Sequence, residues 1–175
     1  MSFPEARLFT GLPATEAKAF AQETTAHPEW VLDLIHISSR PDGGTVPRKA
    51  AWVLRHAALL DAKCIEGQAR SILDAVDASS DASVHRELLK ALLEAPQQEL
   101  HAMGEELYDL GLGLCADDTM PVAVVHVGVL LLHASGLKLG SEVTEVWRDR
   151  GQTAKTAPLA RYLSKQLAAL QQETV

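Results

Sequence analysis

Two histidines in "PVAVVHVGVLLLHAS" (121–135) are the first residues to weigh for chemistry. His126 and His133 are seven apart, two turns of a helix, or about 10 Å along its axis. One metal ion cannot be held by both, so each is expected as a partly buried, hydrogen-bonded histidine. His101 and Glu105 stand at i, i+4, with Glu106 beside them. That geometry can hold a metal, but HExxH is absent and a solvated helix face is the simpler expectation. Cys64 and Cys115 form no CxxC pair, which excludes the zinc and redox motifs built on it and suggests no disulfide framework. No GxSxG nucleophile turn occurs. "GLGLC" (111–115) contains GxG, but it ends a helical stretch rather than a strand and lacks the third glycine of a dinucleotide loop. The sequence therefore names no catalytic, cofactor-binding or metal-binding residue. A binding protein is favoured over an enzyme, although a site drawn from separate helices would leave no local motif.

Charge is the stronger functional hint. The chain has 175 residues with 16 Lys and Arg against 23 Asp and Glu, a net charge of −7 that argues against a dedicated nucleic-acid binder. The basic residues are unevenly placed. Arg40, Arg48, Lys49, Arg55, Lys63, Arg70, Arg86 and Lys90 all lie between 40 and 90, whereas 91–120 holds seven acids and no Lys or Arg. Solvated helix faces account for much of this. The sharper expectation is a partner-binding face carried by Trp30, Arg48, Trp52, Arg55 and Arg86, because Trp and Arg dominate interface hot spots. Trp52 reads equally well as core. The expected partner is a protein or peptide, with a homodimer as a variant of that reading. A nucleic-acid-associated module is the alternative, motivated by the same basic segment.

Those residues must be positioned by helices. Aromatics are only 5%, so the core has to come from Leu, Val and Ala, which suits helix-on-helix packing. Apolar residues recur at helical spacing in 28–39, 47–60, 64–78, 83–95, 97–115, 141–150 and 156–170, with a weaker pattern over 15–26. Proline opens several of these, tolerated where the first N–H groups have no helical partner. "PDGG" (41–44) predicts a turn. Ser80 or Asp81, Asp118 or Thr119, and Thr156 are the expected N-caps. Five valines favour β structure in 121–135, but its length to Gly136 and its helical neighbours predict a helix, since a lone strand has no partner for its backbone. The N-terminus lacks an apolar signal region and the apolar run near 121–132 is too short for a membrane span, so a cytoplasmic protein with no membrane partner is expected.

Three helix starts share a pattern: "PRKAAWVLRHAALL" from 47, "SVHRELLKALLEA" from 83 and "PVAVVHVGVLLLHA" from 121, that is, 36 and 38 residues apart. One further helix lies between each pair. That period is what stacked helical repeats show. On the capped starts "DASVHRELLKALL" and "DDTMPVAVVHVGVLLL" the chain resembles HEAT-like and armadillo-like repeat proteins. Val124 departs from the pattern, standing where the middle repeat carries Arg86. The resemblance implies an all-α fold, a right-handed α-α superhelix of stacked antiparallel helix pairs. It implies one domain over 1–175, with a repeat core at about 28–135 and the N-terminal helix and the helices in 141–170 as caps. It also implies a non-enzymatic scaffold. Within such a stack, 121–135 is expected to be covered on most sides by neighbouring repeats. A lyase reading through adenylosuccinate lyase has no support, because that family's Ser/Gly-rich loop with a Met-Pro-x-Lys-x-Asn core has no match.

Overall fold

The computed structural model describes residues 3–9, 13–41 and 44–173, and every regular element among them is helical. The chain divides into two compact units, Met1–Ala102 and Met103–Val175. The expected repeat core at 28–135 runs through both. No helix among the described residues is long and apolar enough to cross a membrane.

The first unit holds α1 (Ala6–Phe9), α2 (Ala14–Ala26), α3 (Trp30–Ser38), α4 (Thr45–Leu60), a 3-10 turn (Ala62–Ile65), α5 (Ala69–Ala78), α6 (Ala82–Leu92) and α7 (Gln97–Ala102). Helix α4 is its hub and packs against α1, α2, α3, α6 and the 3-10 turn. Its sequence explains why. Ala50, Ala51, Val53, Leu54, Ala57 and Ala58 are all buried and form one broad apolar face, wider than a single stripe. The alanines let neighbouring helices approach, while Val53 and Leu54 each contribute about 1.5–3 kcal/mol of burial. Helix α5 packs on both α3 and α6.

Local chemistry sets the boundaries. Asp81 caps α6, accepting hydrogen bonds from the N–H groups of Ser83 and Val84 at 2.8 and 3.3 Å, as its position before the apolar stripe predicts. The single helix expected over 64–78 is broken. Asp61 accepts from the Lys63 N–H and starts the 3-10 turn, and Gly67 then takes φ +75°, a left-handed conformation that ends it before α5. The apolar phase runs through this break, which hides it in the sequence. The expected turn at 41–44 rests on Asp42 and Gly43, which lie outside the described residues. Gly44, after them, takes φ +93° ahead of α4.

The second unit holds α8 (Gly104–Ala116), α9 (Val122–Ala134), α10 (Ser141–Gln152) and α11 (Ala157–Glu173). The helix expected over 97–115 is thus two helices, α7 and α8, interrupted at Met103, whose backbone (φ −108°, ψ 21°) leaves the helical region. Helices α8 and α9 pack closely through a glycine on each. A Cβ on Gly111 would lie 2.7 Å from the Gly128 carbonyl oxygen, and one on Gly128 would lie 2.9 Å from that of Gly111. Cys115, Val125, Val129, Leu132, Val143, Trp147, Leu159 and Leu163 form the core of this unit. The cap expected at Asp118 or Thr119 is not formed. Helix α9 starts behind Pro121 without a side-chain cap, and Asp117 accepts from Thr119 instead.

Helix α9 is also less covered than its composition suggests. Val124, Val125, Val127, Val129, Leu131 and Leu132 are buried, but Val122, His126, Leu130 and His133 form an exposed stripe. The two histidines are therefore surface residues rather than partly buried ones. His126 lies against Tyr162 and His133 against Trp147, with ring centroids 4.8 and 6.1 Å apart.

Candidate functional site

Four of the five residues expected on a partner face lie on two helices that pack together. Arg48, Trp52 and Arg55 follow one another on α4 at intervals of four and three, and Arg86 lies on α6. Trp30 stands apart. It is 4% exposed and packs among Phe3, Phe20 and His27, so its indole belongs to the core of the first unit.

The centre of the group is a residue that sequence reasoning missed. Glu87 is 5% exposed, and each of its carboxylate oxygens accepts from a different arginine. Arg86 Nε donates to Oε1 at 2.8 Å and Arg55 Nη1 donates to Oε2 at 3.0 Å. A lone buried carboxylate would be costly, and the two guanidinium groups neutralise it. The signal was present in the sequence: Glu87 interrupts the apolar line of Val84, Leu88 and Ala91, which marks an inward-facing charge in need of a partner.

Around that centre the face is cationic. Lys90, one turn beyond Arg86, is half-buried; burial holds its ammonium pKa below the usual value, with Arg55 adding to the effect and Glu87 opposing it. Arg48 is the most exposed of the arginines and donates from Nε to Asp81 Oδ2 at 2.7 Å. Burial works to raise the Asp81 carboxyl, but Arg48 and the amides of Ser83 and Val84 outweigh it and keep the pKa below the ordinary value. Trp52 stacks on His56 with ring centroids 3.6 Å apart. His56 Nδ1 donates to the Trp52 carbonyl at 2.9 Å, which fixes the tautomer, and burial with Arg55 lowers its pKa despite that bond. The face thus presents Arg48, Arg55, Arg86 and Lys90 against Asp81 and Glu87, with a flat aromatic pair beside them.

Other sequence candidates are placed elsewhere. His101, Glu105 and Glu106 are exposed. Among the described residues no three His, Cys, Asp or Glu side chains converge closely enough to hold a metal. Both cysteines are buried and free, and burial pushes each thiol up to about 11, so neither is an activated nucleophile. Set against protein-family models, characterised proteins and solved structures, the chain shows no significant match.

Proposed function

We propose that this chain is a non-enzymatic HEAT-like helical-repeat scaffold that binds an acidic protein or peptide segment on the α4–α6 face. The observation carrying this reading is the convergence of Arg48, Arg55, Arg86 and Lys90 on two adjoining helices around only two carboxylates. The Glu87 pairings hold Arg55 and Arg86 in fixed positions, so less side-chain entropy is lost when a partner carboxylate arrives. The Trp52–His56 stack offers flat apolar area next to the charges, the combination found in interface anchors.

The repeat reading draws on packing in the first unit. Helices α2, α4 and α6 adjoin in sequence order, and α3 and α5 adjoin each other while packing on α4 and α6. Two rows built from successive helices are what a stacked right-handed α-α superhelix requires. A nucleic-acid partner is the weaker reading. The chain's net charge of −7 opposes a polyanionic phosphate backbone, whereas a short acidic segment meets only the local cations of this face.

The test is selection of displayed peptides on the immobilised full chain, with counter-selection on an Arg48→Gln/Lys90→Gln variant. These two side chains lie outside the buried Glu87 pairings, so the fold is retained. The reading expects enrichment of Asp- and Glu-rich peptides whose affinity falls with salt. Enrichment of apolar or basic peptides, or peptides that bind the variant equally well, would overturn it.

A further inference from the structure

The second unit contains a buried cation without an ion-pair partner among the described residues. This is Arg150, which is 7% exposed. Its Nη2 donates to the Met120 carbonyl at 3.1 Å, while its buried Nε has no hydrogen-bond partner. A guanidinium carries five N–H donors, and here the bond to Met120 leaves the buried Nε–H unmet. The acid in its field, Asp117, forms no ion pair with it. Asp117 Oδ1 is taken by the N–H and hydroxyl of Thr119, at 2.8 and 2.7 Å.

Arg150 forms part of the wall of a hollow of about 220 Å³, as does the Met120 residue that anchors its guanidinium. Lys155 and Thr156 line the same hollow, together with Val122 at the start of α9. Helix α11 begins directly after Thr156. Two helix N-termini thus border the space, and α9 has no side-chain cap on its first-turn N–H groups. The positive end of the helix dipole favours an anion there. An adjoining hollow of about 250 Å³ shares Arg150 and Asp118 and has room for an organic group, with the exposed Asp118 able to accept from a hydroxyl.

We propose that this hollow binds a small phosphate monoester, its oxyanion on Arg150, Lys155 and Thr156. Inorganic phosphate carries the same group and is the other source of that chemistry. The site lies wholly in the second unit and is independent of the face on α4 and α6.

The experiment is isothermal titration of the full chain with glycerol 3-phosphate and with inorganic phosphate, against sodium chloride at matched ionic strength. Thermal melts of the same samples accompany it. Wild type should give saturable binding and a raised Tm with at least one of the two. Tighter binding of glycerol 3-phosphate would identify the monoester as the ligand; equal or tighter binding of inorganic phosphate would assign the site to the free ion and overturn the monoester proposal. Lys155→Gln, a surface change, should weaken binding at least about tenfold, the worth of one charge-assisted hydrogen bond. Arg150→Met should lose the ligand-induced Tm shift whatever its own starting Tm. No saturable heat in wild type, or equal Tm shifts in all three proteins, would overturn the proposal.

Discussion

Glu87 is the residue on which the cationic face depends, and a set of three variants measures that dependence. Its two oxygens are held by Arg86 and Arg55 at 2.8 and 3.0 Å in a nearly fully buried position. Replacing both arginines by methionine leaves that carboxylate without its hydrogen-bonded cations. Stranding a buried charge costs about 3–5 kcal/mol. The side chains of Arg55 and Arg86 are 27% and 39% exposed, so water reaches part of the site, and Lys90 also lies in the carboxylate's field. The lower end, about 3 kcal/mol, is therefore expected for Arg55→Met/Arg86→Met. Glu87→Gln removes the charge that needed pairing and lets the arginines return to solvent, so about 1 kcal/mol is expected. Combining all three changes should recover at least about 1 kcal/mol relative to the arginine double variant, because the stranded charge is gone. Urea unfolding of the full chain, compared at equal m-value, reads these differences as midpoints. The reasoning fails if the double variant loses no more than Glu87→Gln, or if the triple variant is no more stable than the double.

Four further outcomes follow from the structure. Gly128→Ala should destabilise by about 1–2 kcal/mol, since its Cβ would meet backbone of α8 and overpacking outweighs the gain in helix propensity. Gly113→Ala, where a Cβ meets nothing within 4 Å, should stabilise by about 0.5–1 kcal/mol, and thermal melts distinguish the two signs. Asp81→Ala should cost about 1 kcal/mol at neutral pH through loss of the α6 cap. Because folding lowers the Asp81 pKa, its contribution is complete above the unfolded value, near 3.8, and fades as pH falls from there through the folded value. The gap between wild type and Asp81→Ala should therefore close in acid, and a gap that widens there would contradict the assigned hydrogen bonds. Cys64 and Cys115 should resist a thiol reagent in the native chain and react only on unfolding, which absorbance of the released chromophore would follow.

The sequence carried the helices well because their signal is local. Apolar spacing located α2 to α4, α6 and α9 to α11 to within a few residues, while it merged α5 with the 3-10 turn and α8 with α7; Asp81 was readable as a cap because its role depends on its next three neighbours. What failed was whatever depends on a second helix. The break at Gly67 was hidden because Ile65, Ala69 and Ile72 keep one phase across it. The exposure of Val122 and Leu130 was invisible, since an apolar residue reads the same on a surface as in a core. Trp30 is an anchor by residue type alone, and only its packing with Phe3 and Phe20 makes it core. Arg55 and Arg86 read as contacts by residue type, but their shared carboxylate stands 32 residues from Arg55 and meets it only through the packing of α4 on α6. Arg150 gave no sequence signal, because its unmet Nε–H is a property of burial alone.

The central claim, that the α4–α6 face receives an acidic partner, is tested most directly by exchanging charges across the contact. Fluorescence anisotropy would follow a selected acidic peptide binding the full chain and its Lys90→Glu variant. Binding should weaken at least about tenfold in the variant and recover when one peptide Glu is changed to Lys. Undiminished binding to Lys90→Glu, or a loss that none of the Glu-to-Lys peptides repairs, would contradict it.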